Sequence, residues 1–436
     1  MATIRPFAAV SYARRPELDL SNLIAPPYDV LDERSQAALI AGHPRNITVI
    51  DLPHLPAKTV GPDAAYARAT ATLDAWLADG TLVQDGRAAL YPYAQSYEHA
   101  GRTYHRRGFI ALVKLSPFGA GDVIPHEKTY REAIEDRLKL TRATRVQLSP
   151  IFGLFSDPRN EVTNLLYKNL GRPEASGTLD GVKNDLWSVI DAEVENHVID
   201  LMGTKPIYVA DGHHRYTMAL QYQFEMEQKN GGPLPPSHPA NYCLFVLVGM
   251  QDPGLLILPT HRFIGNLAPF DVATFKAAVG GAFEVTESPL GPERMAEFAD
   301  DFLKKEPPHT LGLFDGRTRK LHVLRLKDLD VLANLEPGQS DAWRRLDVAI
   351  LQRYLLDEVL APRFAAPGRE ITKGYTADPA TIAPQVDGER YQVGLLLQPT
   401  PLTALEDLGK HGEVMPQKST YFFPKLATGM VVNSLR

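Results

Sequence analysis

The chain is predicted to adopt an α+β fold, with mixed or antiparallel sheets and helices packed against them. Three features predict it. Neighbouring strand signals are joined by short turns, helical patterns intervene irregularly, and no internal repeat or low-complexity tract is present. The 436 residues, 44% hydrophobic and 22% charged, suit an ordinary globular protein. At ~100–200 residues per domain they suggest two to four units. The pattern divides into an N-terminal α/β region (1–100), a core (101–265) and a C-terminal α/β region (266–436).

Ala25-Pro26-Pro27-Tyr28-Asp29-Val30 must run extended because it holds two prolines. Asp32 then caps a helix over Glu33–Ala41, ended by Gly42. Asn46–Leu52, rich in Ile, Val and Thr, reads as a strand. Asp63–Ala78 is an amphipathic helix with Tyr66, Leu73, Trp76 and Leu77 at helical spacing. Ala89–His99 and Thr103–Leu115 form a hairpin around Ala100-Gly101. A charged helix is predicted over Tyr130–Arg142, a strand over Ser149–Phe155, a helix over Asn160–Leu170 and a strand over Leu186–Ile190. Pro206–Ala210 is a short apolar strand, Asp211–His214 a turn, and Arg215–Gln228 a helix. Strands follow at Tyr242–Met250 and Leu255–Leu258. Beyond residue 266, helices are predicted at Pro269–Val279 and Pro292–Lys305, and strands at Thr310–Phe314, Lys320–Leu326 and Tyr391–Leu397. Asp341–Leu360 is predicted to be the longest helix.

The bulk properties exclude several classes. A net charge of −6 and no helix-turn-helix signature argue against nucleic acid. The single Cys243 rules out an internal disulfide and a thiolate zinc cluster, and its apolar strand marks it as a structural thiol. No apolar run reaches the ~20 residues a bilayer requires, and the N-terminus lacks an apolar signal core. A cytoplasmic location is therefore expected, with no membrane partner; self-association is left open.

The segment Ala210-Asp211-Gly212-His213-His214-Arg215 carries the strongest chemistry. A strand ends, a glycine permits a sharp turn, and a helix begins whose first N–H groups have no partner within it. Such a terminus suits an anion. Arg215 would add a phosphate-matching fork, and the histidines donors or metal ligands. The alternative is a scaffold turn with Asp211 as N-cap. Pro125-His126-Glu127-Lys128-Thr129 holds a base, a cation and a hydroxyl together. Glu127 could take a proton from a hydroxyl, and Lys128 could neutralise a phosphoryl group. Arg142 ends the charged helix and Arg145 follows it, both with no acidic partner nearby in sequence, and both are candidates for reaching nucleotide phosphates. Tyr28 either stacks on a substrate or plugs an apolar gap, with Asp29 exposed beside it. Thr260-His261-Arg262 is a further candidate for the same cleft. Met415–Lys425 either docks the C-terminal segment or forms a lid.

These motifs, with Ile4-Arg5-Pro6-Phe7 and Pro416-Gln417-Lys418-Ser419-Thr420-Tyr421-Phe422, resemble a widespread prokaryotic family of unknown function. The Asp-Gly-His-His-Arg turn also resembles the phosphate-binding turn of the ParB/sulfiredoxin superfamily. That superfamily includes sulfiredoxin, CTP-hydrolysing ParB clamps and free serine kinases. The resemblance implies a ParB/sulfiredoxin-like core in which Gly212, His213, His214 and Arg215 hold nucleotide phosphates. Sulfiredoxin chemistry departs from this sequence, because His213 stands where that enzyme has its cysteine.

The leading expectation is a nucleotide-dependent phosphotransferase acting on a small hydroxyl metabolite such as free serine, using Mg2+ and ATP or ADP. Glu127, His126 and Asp211 would be catalytic. Gly212, His213, His214, Arg215, Lys128, Thr129, Arg142 and Arg145 would bind phosphate or nucleotide. Tyr28 and Asp29 would face the substrate. Two alternatives stand beside it: a metal-dependent phosphatase or hydrolase, drawing on His126, Glu127, Asp211, His213, His214 and His261, and a non-catalytic nucleotide sensor.

Overall fold

The computed structural model describes residues 2–14, 18–120, 122–127 and 131–436. The chain forms two compact units. The first comprises Met1–Leu256 and Pro424–Arg436, and the second Ile257–Phe423. The expected boundary at 100/101 falls at a hairpin turn inside the first unit. The one at 265/266 falls just past the change of unit, and the last residues return to the first unit.

The first unit is built on a nine-stranded mixed sheet. Its strands are β1 (Ile4–Arg5), β2 (Tyr91–His99), β3 (Arg102–Lys114), β4 (Val123–Ile124), β5 (Ile151–Phe155), β6 (Ala175–Leu179), β7 (Val182–Leu186), β8 (Ile207–Asp211) and β9 (Tyr242–Gly249). The order is β4-β8-β5-β9-β3-β2-β7-β6, with β1 also on β3. Two pairs, β4/β8 and β5/β9, are parallel and the rest antiparallel. The β2/β3 hairpin turns at Ala100 (φ 49°) and Gly101 (φ 71°). Two successive left-handed residues match the twist of the strands they join. Every residue of β5 and β9 is buried, as strands covered on both faces must be.

Seven helices carry positions relevant to the site or to the sequence reading. These are α1 (Glu33–Gly42), α2 (Thr48–Asp51), α3 (Asp63–Ala78), α4 (Arg131–Thr144), α5 (Glu161–Tyr167), α6 (Ala192–Met202) and α7 (His213–Asn230). Asp32 caps α1 reciprocally with Ser35, as its position predicts. The strand expected over Asn46–Leu52 is instead the helix α2. The Asn46 side chain accepts from the Thr48 amide (2.9 Å) and hydroxyl and nucleates a turn that β-branched composition alone does not foresee. The strand expected at Leu186–Ile190 lies earlier, as β7, paired with β6. Helix α6 follows, capped by Asp191, which accepts from the Glu193 and Val194 amides. Cys243 is buried on β9, and burial pushes its thiol up to about 12, in keeping with a structural role.

The second unit holds a six-stranded sheet of β10 (His261–Gly265), β11 (Phe283–Glu287), β12 (Thr310–Asp315), β13 (Lys320–Leu326), β14 (Thr372–Thr376) and β15 (Tyr391–Leu396). Their order is β11-β13-β12-β15-β10-β14. Its helices include α8 (Val272–Val279) and α9 (Leu402–His411). The expected Pro292–Lys305 helix exists as short consecutive pieces around a π turn at Phe298–Phe302. The expected Asp341–Leu360 helix is broken. Leu346 turns extended (ψ 127°) and is buried there, so Asp341–Arg344 is separated from Asp347–Ala349 and the π-helix Ile350–Leu360. Helix α7 is longer than any of these pieces. No described helix is long and apolar enough to cross a membrane.

Candidate functional site

Strand β8 delivers the Asp-Gly-His-His-Arg turn. Its register against β5 shifts between Val209 and Asp211, so Ala210 is an extra residue. Such a bulge re-aims the residue after it, here Asp211. Gly212 follows at φ 97°, a left-handed conformation natural to glycine. Helix α7 then starts at His213. Gly212 is its N-cap, and among the described residues no side chain caps it. Asp211 is therefore not the cap that a scaffold turn would use. The first intrahelical bond runs from the Tyr216 N–H to the Gly212 carbonyl (3.0 Å). The amides of His213, His214 and Arg215 precede it, at the positive end of an 18-residue helix.

The His126-Glu127 segment reaches this turn because β4 runs parallel to β8, with Ile124 beside Tyr208. Two residues on, the His126 amide donates to Nε2 of His213 (3.2 Å). The two rings meet edge to face at 4.7 Å. The His126 Nδ1 lies on the Val209 carbonyl, so it carries the proton there. A neutral His126 then presents its Nε2 lone pair, 3.9 Å from Oε1 of Glu127. By the same logic a neutral His213, accepting at Nε2, is protonated at Nδ1.

Burial pulls His126 and His214 below the ordinary histidine value and His213 well below it. Glu127, Asp211 and Lys425 act on His126, while Asp29, Lys58, Arg215 and Asp211 act on His214. Burial would raise the Asp211 carboxyl, but Lys425 at 2.7 Å and Arg215 at 3.7 Å outweigh that and hold it well below the usual carboxylate range. Asp29 and Lys58 approach to 4.0 Å.

Other expected residues are placed differently. Arg215 is not a fork presented to solvent. It is 7% exposed, and its guanidinium folds under the turn to the Pro150 carbonyl, bracing Gly212 from below. Tyr28 is 2% exposed, packed with Leu31 and Leu52 beneath the Arg137 guanidinium (4.0 Å), so it fills a gap. Arg142 is not without an acidic partner: Glu225 on α7 pairs with it at 2.9 Å and Glu135 at 3.0 Å. Arg145 is exposed at the end of α4 in a left-handed conformation (φ 53°). His261 lies in the second unit, buried, its Nδ1 accepting from the Leu397 amide. Lys128 and Thr129 lie outside the described residues. Among the described residues no group of three His, Cys, Asp or Glu side chains could hold a metal ion.

Lys425 belongs to this corner and sequence reasoning did not single it out. It sits 214 positions from Asp211, and only the chain's return to the first unit brings the two together. Met415–Lys425 is divided between the units. Beyond Lys425 the segment docks, with Thr428 bridging Ala25, Val432 bridging Val10 and Asn433 pairing with Gln147.

A family model described as "Protein of unknown function (DUF1015)" matches residues 4–349. No curated protein matches the chain. Among solved structures, the chain is similar to a free serine kinase in complex with AMP (TM-score 0.32, 12% identity, 69% of this chain and 83% of that one). It is similar to a conserved hypothetical protein from Pyrococcus furiosus (0.31, 14%, 72% and 92%). It is also similar to a C-terminally truncated SbnI from Staphylococcus aureus (0.35, 11%, 74% and 87%).

Proposed function

We propose that this chain, which belongs to the DUF1015 family of proteins of unknown function, is a nucleotide-dependent phosphotransferase acting on a small hydroxyl metabolite. One observation carries the reading: the His126-Glu127 segment and the start of α7 meet, through the 3.2 Å bond from the His126 amide to His213. Phosphoryl transfer asks for positioned donors, cations and a base more than covalent chemistry. The amides of His213, His214 and Arg215 cradle the phosphates, as helix starts do. Arg215 positions the turn from below. Glu127, 22% exposed and beside His126, takes the acceptor hydroxyl's proton. Asp29 and His214 line the acceptor side.

Mg2+ favours one or two carboxylates plus substrate phosphates. Asp211 is committed to Lys425 and Arg215 and Glu127 to the acceptor's proton, so Asp29 is the carboxylate that would help the nucleotide's phosphates hold it. When bound, the ion neutralises phosphate charge. The hydrolase reading calls for a donor cluster that the described residues do not form.

The test is ADP formation from ATP with magnesium across a panel of small alcohols. Serine is tried first, on the motif resemblance noted above. Turnover with one acceptor, reduced roughly 10²–10⁴-fold by Glu127→Gln, supports the proposal. Nucleotide binding without turnover for any acceptor would leave a sensor instead, and absence of nucleotide binding would remove both.

A further inference from the structure

Four polar side chains of the first unit, Tyr93, Gln95, Arg106 and Asn184, are each at most 3% exposed. They form one network. The Tyr93 hydroxyl donates to Oδ1 of Asn184 (2.5 Å) and Gln95 Nε2 donates to the same oxygen (2.9 Å). Arg106 donates to Oε1 of Gln95 and lies over the Phe152 ring at 4.8 Å. Phe152 is the residue paired with Asp211 across β5 and β8.

What this network holds is backbone. Arg106 donates to the Pro424 carbonyl (2.7 Å), Gln95 to the Lys425 carbonyl (3.1 Å), and the Ala427 amide donates to the Tyr93 hydroxyl (3.4 Å). Buried polar networks are costly unless fully satisfied, and when satisfied they specify one geometry. This one fixes the chain on both sides of Lys425. The Lys425 side chain remains 22% exposed and its ammonium rests on Asp211, whose side chain is 23% exposed, at the edge of the turn before α7. A pair that only balanced charge at the surface would need no such anchoring.

We infer that Lys425 is a phosphate-binding residue of the site, held by Asp211 at rest and transferred to a nucleotide's terminal phosphates when they arrive. Tyr93, Gln95, Arg106 and Asn184 are its positioning residues. This rests on the phosphotransferase reading and extends it with a cation supplied from the C-terminal segment. No covalent step is involved; the ammonium exchanges one anionic partner for another.

The experiment is calorimetric titration of the full-length chain with ADP and, separately, pyrophosphate. Lys425→Met should weaken both at least tenfold, while Lys425→Arg stays within about threefold of wild type. Asp211→Asn should tighten binding, because the phosphate no longer competes with that carboxylate for the lysine. Gln95→Leu, which keeps the lysine but removes its anchor at the Lys425 carbonyl, should weaken binding in the wild-type background and have no further effect in Lys425→Met. A purely structural Lys425–Asp211 pair predicts the opposite for Asp211→Asn: binding falls as it does for Lys425→Met. That result, or wild-type affinity in Lys425→Met, overturns the inference and leaves the phosphotransferase reading standing. Wild-type protein that binds neither ligand overturns both. If Lys425→Met does not melt cooperatively, the direction of the Asp211→Asn change decides.

Discussion

Replacing Gly212 with alanine probes the turn on which the site is built. A side chain at φ 97° takes on left-handed strain of roughly 1–2 kcal/mol. The new Cβ would also stand 3.0 Å from the Arg215 guanidinium, closer than ordinary contact. Arg215 cannot simply swing away, because it is buried and bonded to the Pro150 carbonyl. Displacing it leaves a buried charged donor poorly satisfied, at about 1–3 kcal/mol. Together these come to about 3 kcal/mol, or a Tm lower by roughly 6–12 °C for a unit of this size. Urea and thermal melts measure it directly. Gly212→Asn separates the causes, since asparagine tolerates the left-handed region yet keeps the Cβ contact; it should fall between wild type and Gly212→Ala. A Gly212→Ala protein within about 0.5 kcal/mol of wild type, the range of an ordinary surface change, would refute the account of Arg215 as a fixed brace.

Further outcomes follow from the same geometry. Tyr28→Ala should cost about 3–5 kcal/mol as an emptied aromatic site, whereas Tyr28→Phe, which keeps the ring under Arg137, should cost under ~1 kcal/mol; equal losses in urea melts would contradict the gap-filling role. Arg142→Ala removes two solvent-accessible pairs, with Glu135 and Glu225, and should lower stability by at most about 1 kcal/mol, with nucleotide affinity unchanged. A large loss of affinity in that variant would return Arg142 to the phosphate site. His126, His213 and His214 all sit below the ordinary value, burial being the first cause, so the unfolded chain binds protons that the folded chain refuses once pH drops below 6.5. The stability this contributes is complete above that pH and is lost as pH falls toward the folded values. Urea midpoints should therefore decline as pH falls from about 6.5 toward about 5.5, less steeply in His213→Gln, and a flat profile would contradict the burial of these three histidines.

Local chemistry was legible where one residue type dictated the backbone. Asp32 with Ser35, the uninterrupted face of Asp63–Ala78, and Gly212 at a strand-to-helix turn each announce themselves within a few positions. Asn46–Leu52 misled because β-branched residues favour a strand until Asn46 binds the next turn. The break at Leu346 carries no glycine or proline and follows from burying that leucine. At the site, the turn and the His126-Glu127 segment were both visible, but their meeting was not, because it depends on a parallel pairing between strands 84 positions apart. The inward rotation of Arg215 and the pairing of Arg142 with Glu225 were hidden for the same reason. Lys425 was hidden most completely, since its partner lies across the whole of the second unit in sequence.

The central claim is that the amides opening α7 receive a phosphate. Amide chemical shifts of His213, His214 and Arg215, followed by transverse-relaxation-optimised NMR during titration with ADP, report on it without intermediaries. Saturable shifts of these three amides, reaching their midpoint at the calorimetric affinity, are predicted. ADP binding that leaves them unmoved while amides elsewhere respond would contradict the claim.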